Sequence, residues 1–280
     1  MIPAVTGTFQ GAGGVRLFYR YFECPNAVGT LVILHGHGEH SGRYEKFARI
    51  LEETRLSIAV YDGRGFGQSE GRDYYVDSFE EFLEDLTAFD QFLQNTHPPQ
   101  GKIYLLGHSL GGLVAVHWAL RFPERLRALF LSSPFLGLRL PAPLLWLNAF
   151  LNRCSPGLIY KNPVYPPHLT HNPEEVRHYK ADTLIKRKIS VRLLSEVLKY
   201  QLQLAAMDRF RFPFPVYILG AGLEKVVDLE KTKSFFQKLE APRKEMKIFD
   251  GFYHEIFNEL GQEKAFNFLK VCITDVSSAE

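Results

Sequence analysis

Short, unbroken apolar runs alternate along this chain with stretches whose apolar residues fall at helical spacing. The runs Thr30 to Leu34 (TLVIL), Leu56 to Tyr61 (LSIAVY), Ile103 to Leu106 (IYLL), Leu126 to Leu131 (LRALFL) and Pro215 to Leu219 (PVYIL) each read as a strand buried on both faces. Between them Tyr44 to Leu51 has helical spacing. Phe82, Leu86, Phe89 and Leu93 share one helical face that opens at a Ser78/Glu81 capping box and stops at His97-Pro98-Pro99. This βα rhythm predicts a mostly parallel central sheet covered by helices on both faces. Ahead of it, Thr6 to Gln10 and Val15 to Phe22 alternate around Gly-Ala-Gly-Gly, the pattern of an antiparallel hairpin at a sheet edge.

After Leu131 the rhythm breaks. Pro141, Pro143, Pro156, Pro163, Pro166, Pro167 and Pro173 crowd a stretch with two helix candidates, one opening at Asn172-Pro173 and one running from Ser190 to about Met207. The strand pattern returns only at Pro215. Residues 1–133 and 213–280 are therefore expected to form the α/β core, and residues 134–212 an inserted, largely helical cap. Thr232 to Leu239 reads as a helix, Glu245 to Phe249 as the last strand and Gln262 to Val271 as the closing helix.

The chemistry gathers where strands end. Gly107-His108-Ser109-Leu110-Gly111 is G-x-S-x-G between an apolar strand and a helix-like run, the setting of a nucleophile elbow. Flanking glycines let strand and helix pack closely around the strained serine, and the helix beginning at Leu110 favours negative charge beside it. A serine needs a base, and in this arrangement the partners follow in the order Ser, Asp/Glu, His. His254 comes directly after the last strand, on the same rim as Ser109, and no other histidine follows the cap. The acid comes from the loop after Pro215 to Leu219, which offers two carboxylates: Glu224 near the strand end, and Asp228 just before the next helix, where aspartate serves as an N-cap. Glu224 is taken as the acid and Asp228 as its alternative. In the loop after Thr30 to Leu34, His35-Gly36-His37-Gly38, the His37 amide pairs with that of Leu110 as the expected oxyanion hole. Glu39 and Arg43 are placed for an ion pair that holds this loop. Asp62-Gly63-Arg64-Gly65-Phe66-Gly67 is no phosphate cradle, because its glycines do not open into a helix.

Composition narrows the classes. With 280 residues and 46% hydrophobic content the chain can bury one large core. A net charge of +2 with no long basic run gives no drive toward nucleic acid. Cys24, Cys154 and Cys272 are odd in number, far apart and without metal-ligand spacing, so neither a disulfide framework nor a zinc knuckle is expected. The N-terminus has no signal-peptide pattern and no apolar segment is long enough to span a bilayer, which points to a cytoplasmic protein, at most peripherally membrane-associated.

Four segments together resemble the monoacylglycerol lipase and lysophospholipase group of α/β-hydrolases. They are His35-Gly-His-Gly-Glu-His-Ser-Gly-Arg-Tyr44, Asp62-Gly-Arg-Gly-Phe-Gly-Gln-Ser-Glu-Gly71, Gly-His-Ser109-Leu-Gly-Gly and Tyr253-His254-Glu-Ile-Phe-Asn-Glu259. The resemblance runs from about Gly11 to Leu269 and is weakest in the cap. It implies the α/β-hydrolase fold and a serine esterase that acts on single-chain glycerolipids through a Ser-His-acid triad and an acyl-enzyme, with no metal or organic cofactor. The chain departs from the group in carrying Glu224 where the catalytic aspartate usually stands. It also reads Asp-Gly-Arg-Gly-Phe-Gly where the group has Asp-His-Arg-Gly-His-Gly.

Two other readings compete. His35-x-His37-x-Glu39-His40 resembles the zinc motif of metallo-β-lactamase-like enzymes, but that reading makes the elbow, the βα order and the position of His254 coincidences. A non-catalytic ligand-binding relative would explain Glu224 but not the intact serine, histidine and oxyanion loop. In the cap, Leu136 to Leu151 (LGLRLPAPLLWLNAFL) suits an acyl-chain tunnel or a surface touching a bilayer, with Leu144 and Leu147 as candidate substrate contacts. The plainer alternative is a helix buried on the core. The implied partners are a small-molecule lipid ester and, through the cap, a membrane surface.

Overall fold

A computed structural model describes residues 4–97, 101–138, 141–161 and 164–278. Pro98, Pro99, Pro163 and residues 139–140 of the Leu-rich stretch lie outside them. Eight strands make the main sheet: β1 (Val5–Gln10), β2 (Arg16–Phe22), β3 (Gly29–Leu34), β4 (Leu56–Tyr61), β5 (Ile103–His108), β6 (Leu126–Ser132), β7 (Val216–Ala221) and β8 (Lys244–Phe249). Their order is β1-β2-β4-β3-β5-β6-β7-β8. β2 pairs antiparallel with both β1 and β4, and every other pairing is parallel. The hairpin therefore sits at an edge, and strands β3 to β8 all end on one rim.

Alternation along each buried run sends side chains to two cores, as the period of a strand requires. Val32, Leu34 and Leu105 enter the core covered by α2 (Glu80–Thr96) and α3 (Leu110–Arg121). Leu31, Ile33, Tyr104 and Leu106 enter the opposite one, covered by α1 (Glu45–Ile50) and α8, which runs from Glu263 to Ser278. The four α2 residues named from the sequence are all buried. Phe89 is fully buried, its ring 4.9 Å from Phe9 and 4.8 Å from Tyr61. Phe89→Ala leaves a cavity there and is expected to cost about 3–5 kcal/mol, read as a lower urea midpoint at unchanged slope.

Helix ends follow their caps. Ser78 Oγ accepts from the Glu80 amide at 3.2 Å, but Glu81 reaches back to the Asp77 amide rather than that of Ser78, so the capping box is displaced by one residue. α7 spans Leu229–Gln237, opening three residues ahead of the expected start because Asp228 caps it. α8 continues past Val271 because Cys272, Ile273 and Val276 prolong its apolar stripe.

Between β6 and β7 the chain leaves the sheet. α5 (Pro173–Ala181) and α6 (Val191–Ala206) open at Asn172 and Ser190, whose side chains accept from Glu174 and Leu193 amides. α4 (Ala142–Cys154) packs on α6, with Asn148 Nδ2 donating to Ser195 Oγ at 2.7 Å. Short strands Ile159–Lys161 and Lys188–Ser190 pair antiparallel beside them. α4 is not the buried helix that the plainer reading foresaw: Trp146 is 77% exposed and Phe150 63%.

Candidate active site

The turn from β5 into α3 holds Ser109 at φ 51°, ψ −115°, a strained conformation for a residue with a Cβ. Neighbouring structure fixes it there. The Ser109 amide donates to the Ser132 carbonyl at 3.0 Å, while the Ser109 carbonyl accepts from Gly112 and Phe135, each at 2.9 Å. A Cβ at Gly107 would lie 2.4 Å from the Gly111 carbonyl oxygen, and one at Gly111 2.3 Å from that of Leu34. Both positions exclude side chains because backbone crosses backbone.

Two loops from the same rim face the elbow. After β8, His254 is buried, and its Nδ1 lies 2.8 Å from Glu224 Oε2. The other oxygen of Glu224 accepts the Val226 and Val227 amides at 2.8 and 3.3 Å. Burial opposes ionisation of Glu224, but the His254 ring and those amides outweigh it and hold the carboxyl below its ordinary range. Asp228 accepts the Glu230 amide at 3.1 Å as the N-cap of α7. Of the two carboxylates weighed, the structure brings Glu224 to His254 and puts Asp228 on the helix.

After β3, the His37 amide and the Leu110 amide at the start of α3 donate to no protein acceptor among the described hydrogen bonds. Leu110 turns its side chain into the core, leaving its backbone at the elbow. The Glu39–Arg43 ion pair forms, and Glu39 also accepts the Gly36 amide at 2.9 Å and the Tyr44 hydroxyl at 2.8 Å. A cavity of about 580 Å³ joins Ser109, His254 and His37 to Leu144, Leu147 and Leu151 of α4.

The three histidines of the zinc-like motif do not converge. His35 Nδ1 faces the Gly36 carbonyl and its Nε2 accepts the Gly63 amide; His37 Nε2 donates to the Lys188 carbonyl; His40 Nε2 contacts Asp182 and its Nδ1 accepts from Gly42. Burial pushes His37 down to about 4. Each ring serves a separate structural bond. Among the described residues no group of three or more His, Cys, Asp or Glu side chains could hold a metal ion.

The sequence missed what surrounds this site. Residues 182–188, between α5 and α6, close on the oxyanion loop: the Lys186 amide donates to the Gly38 carbonyl at 2.9 Å, and His37 and His40 reach Lys188 and Asp182. Glu255, in the sequence simply the residue after His254, meets the Arg43 guanidinium here. His108 ring nitrogen Nδ1 lies 3.2 Å from Ser132 Oγ, and burial with the neighbouring His254 pushes the ring down to about 3.

Set beside known proteins, the chain matches the family described as serine aminopeptidase, S33, over residues 25–261. It is 30% identical over 248 residues to the phospholipase YtpA of Bacillus subtilis, taking in 88% of this chain and 95% of that one. It is also 30% identical over 259 residues to the monoglyceride lipase of Homo sapiens, taking in 89% and 83%. The crystal structure of Paleococcus ferrophilus monoacylglycerol lipase is similar with a TM-score of 0.81 at 28% identity, over 93% of this chain and 99% of that one.

Proposed function

The chain belongs to the serine aminopeptidase S33 family of α/β-hydrolases and is a serine ester hydrolase; from that premise we propose that it cleaves single-chain glycerolipids, as a monoacylglycerol lipase or lysophospholipase, with Ser109, His254 and Glu224 as its triad. The observation that carries this reading is the buried His254–Glu224 contact, opening with Ser109 onto a cavity walled by leucines. His254 takes the hydroxyl proton as Ser109 Oγ attacks the ester carbonyl, and the His37 and Leu110 amides receive the charge that develops on oxygen. The intermediate collapses, His254 gives its proton to the leaving alcohol, and Ser109 is left acylated. Water then enters by the same route: its oxygen bonds to the acyl carbon as His254 takes its proton, the acyl–serine bond breaks as His254 returns that proton to Ser109 Oγ, and the fatty acid leaves. Glu224 holds the imidazole in the tautomer with its proton on Nδ1 and stabilises the imidazolium.

Residues 134–212 serve in this reading as the cap that sets substrate choice. Its support is that Leu144 and Leu147 line the cavity while both remain 50% exposed, a wall apolar enough for an acyl chain and open at its mouth. The Trp146 and Phe150 side of α4 is the surface we place against a lipid bilayer. Among the described residues no helix is long and apolar enough to cross one.

The defining experiment is product release from monoacylglycerol, lysophosphatidylcholine and lysophosphatidylethanolamine of stepped chain length, with and without chelator. Hydrolysis of at least one class, rising with chain length and indifferent to chelator, is the expected result; activity confined to short soluble esters counts against the lipid assignment. Leu144→Lys or Leu147→Lys is expected to lower kcat/KM for long-chain substrate by about tenfold more than for a short p-nitrophenyl ester, since each buried methylene of the chain contributes about 0.8 kcal/mol. Equal losses on both substrates would reduce these leucines to a structural role.

A further inference from the structure

We propose that Arg43 is a positioning residue that holds the oxyanion loop and the His254 loop at a fixed separation, so that acyl transfer depends on its clamp between two carboxylates. The inference rests on the triad reading above and adds to it a group outside the triad. Acyl transfer needs a base and a pair of amide donors set to each other within fractions of an ångström, yet here they lie on loops from distant parts of the chain. Arg43 bridges them. Its Nη1 pairs with Glu39, and Glu39 takes the Gly36 amide, one residue before the oxyanion donor His37. The same Nη1 donates to Glu255 Oε1 at 2.9 Å and Nη2 to Glu255 Oε2 at 2.6 Å, across 212 residues of sequence. Glu255 is the residue after His254.

The clamp is rigid and dry. Glu39 and Glu255 are buried and the Arg43 side chain is only 10% exposed, and the guanidinium carbon stands 5.3 Å from the Tyr179 ring centre, which brings α5 onto the same group. Asn258 Nδ2 donates to Glu255 Oε2 at 2.8 Å, and Tyr44 to Glu39, so both carboxylates are held from more than one direction. Burial works against the Glu255 charge, and the charge and hydrogen bonds of Arg43 more than restore it, keeping the group below the usual carboxylate range. Only a planar, two-sided donor meets both carboxylates at once. Lysine keeps the charge but offers a single point of contact, and so cannot fix both loops.

The test is steady-state kinetics on p-nitrophenyl butyrate for wild type, Arg43→Lys, Glu255→Gln and the double variant, with thermal melts of each. Inhibition by an aliphatic trifluoromethyl ketone, whose hemiketal on Ser109 carries the oxyanion, is measured alongside. Each single variant is expected to lose about 10- to 100-fold in kcat at nearly constant KM. The ketone should weaken in parallel with kcat/KM, because both report the transition-state geometry. The double variant should be no slower than the worse single, as expected of residues that act as one unit. A lower melting temperature with wild-type kcat at 25 °C, a rise in KM alone, or additive losses would overturn the proposal. If Arg43→Lys does not fold, Glu255→Gln decides by the same readouts, since glutamine keeps the size of the side chain and a hydrogen bond to Arg43. A fluorophosphonate probe separates the layers: no labelling of wild type means that the triad reading has failed, whereas normal labelling with unaffected variants means that only the clamp has.

Discussion

Replacing Ser109 by alanine is expected to lower kcat on the order of 10⁶-fold while leaving the fold intact. The size follows from how the site is built. Removing the nucleophile leaves the histidine, the amide pair and the cavity, which by themselves retain only a small residual advantage over water. The fold should survive because what secures the elbow is backbone: the Ser109 amide to Ser132, its carbonyl to Gly112 and Phe135, and the close approaches at Gly107 and Gly111. Alanine at φ 51° is as strained as serine, so no strain is released and none is added. Kinetics with a short ester, labelling by a fluorophosphonate and a thermal melt measure the three parts of the expectation. A variant that keeps more than a hundredth of wild-type activity, or that still labels, places the nucleophile elsewhere.

Glu224→Gln is expected to lower kcat by about 10³- to 10⁴-fold, the second largest effect. Glutamine fits the volume and its oxygen can keep both amide bonds from Val226 and Val227, but it presents a neutral amide to His254 Nδ1 and stabilises neither the required tautomer nor the imidazolium. Glu224→Asp should fall between, since a side chain shorter by one methylene cannot both accept those amides and reach the ring. Asp228→Asn should cost about 1 kcal/mol or less, because asparagine still caps α7. Near wild-type turnover in Glu224→Gln together with an inactive Asp228→Asn would transfer the acid role to Asp228. Linkage gives a second signature. The folded-state carboxyl of Glu224 is held below its reference value of 4.5, so it contributes stability above that pH and loses it as pH falls through the lowered value. Acid denaturation of Glu224→Gln should accordingly lose part of its dependence below about pH 4.5.

How much of this was legible in the chain can be argued residue by residue. β3 to β7 announced themselves as continuous apolar runs because both of their faces are covered, and α2 did so by its one apolar face. The elbow was legible because its glycines are demanded by backbone crossing backbone, a local constraint that leaves a local signature. Asp228 was read correctly as an N-cap, again because capping spans only a few residues. The edge hairpin, the caps at Asn172 and Ser190 and the Glu39–Arg43 pair belong to the same class of short-range interactions.

What stayed hidden depends on contacts between distant segments. Sequence favoured Glu224 over Asp228 as the partner of His254 but could not exclude Asp228 by spacing, and the path of the loop after β7 is what carries Glu224 to the ring. The motif of His35, His37 and His40 looked like a ligand set, since spacing along a chain does not reveal that the three rings point to Gly63, Lys188 and Asp182. α4 read equally well as buried or exposed, for its leucines are apolar on every side and give no period to choose by. The pairing of Glu255 with Arg43, and of residues 182–188 with the oxyanion loop, left no mark in the sequence, because those partners lie more than a hundred residues away. The chain by itself determined its strands, its turn chemistry and the elbow around Ser109, all set by interactions within a few residues. Tertiary structure alone decided which carboxylate meets His254, what encloses the cavity and how Arg43 joins two loops, since only folding brings those groups within reach of one another.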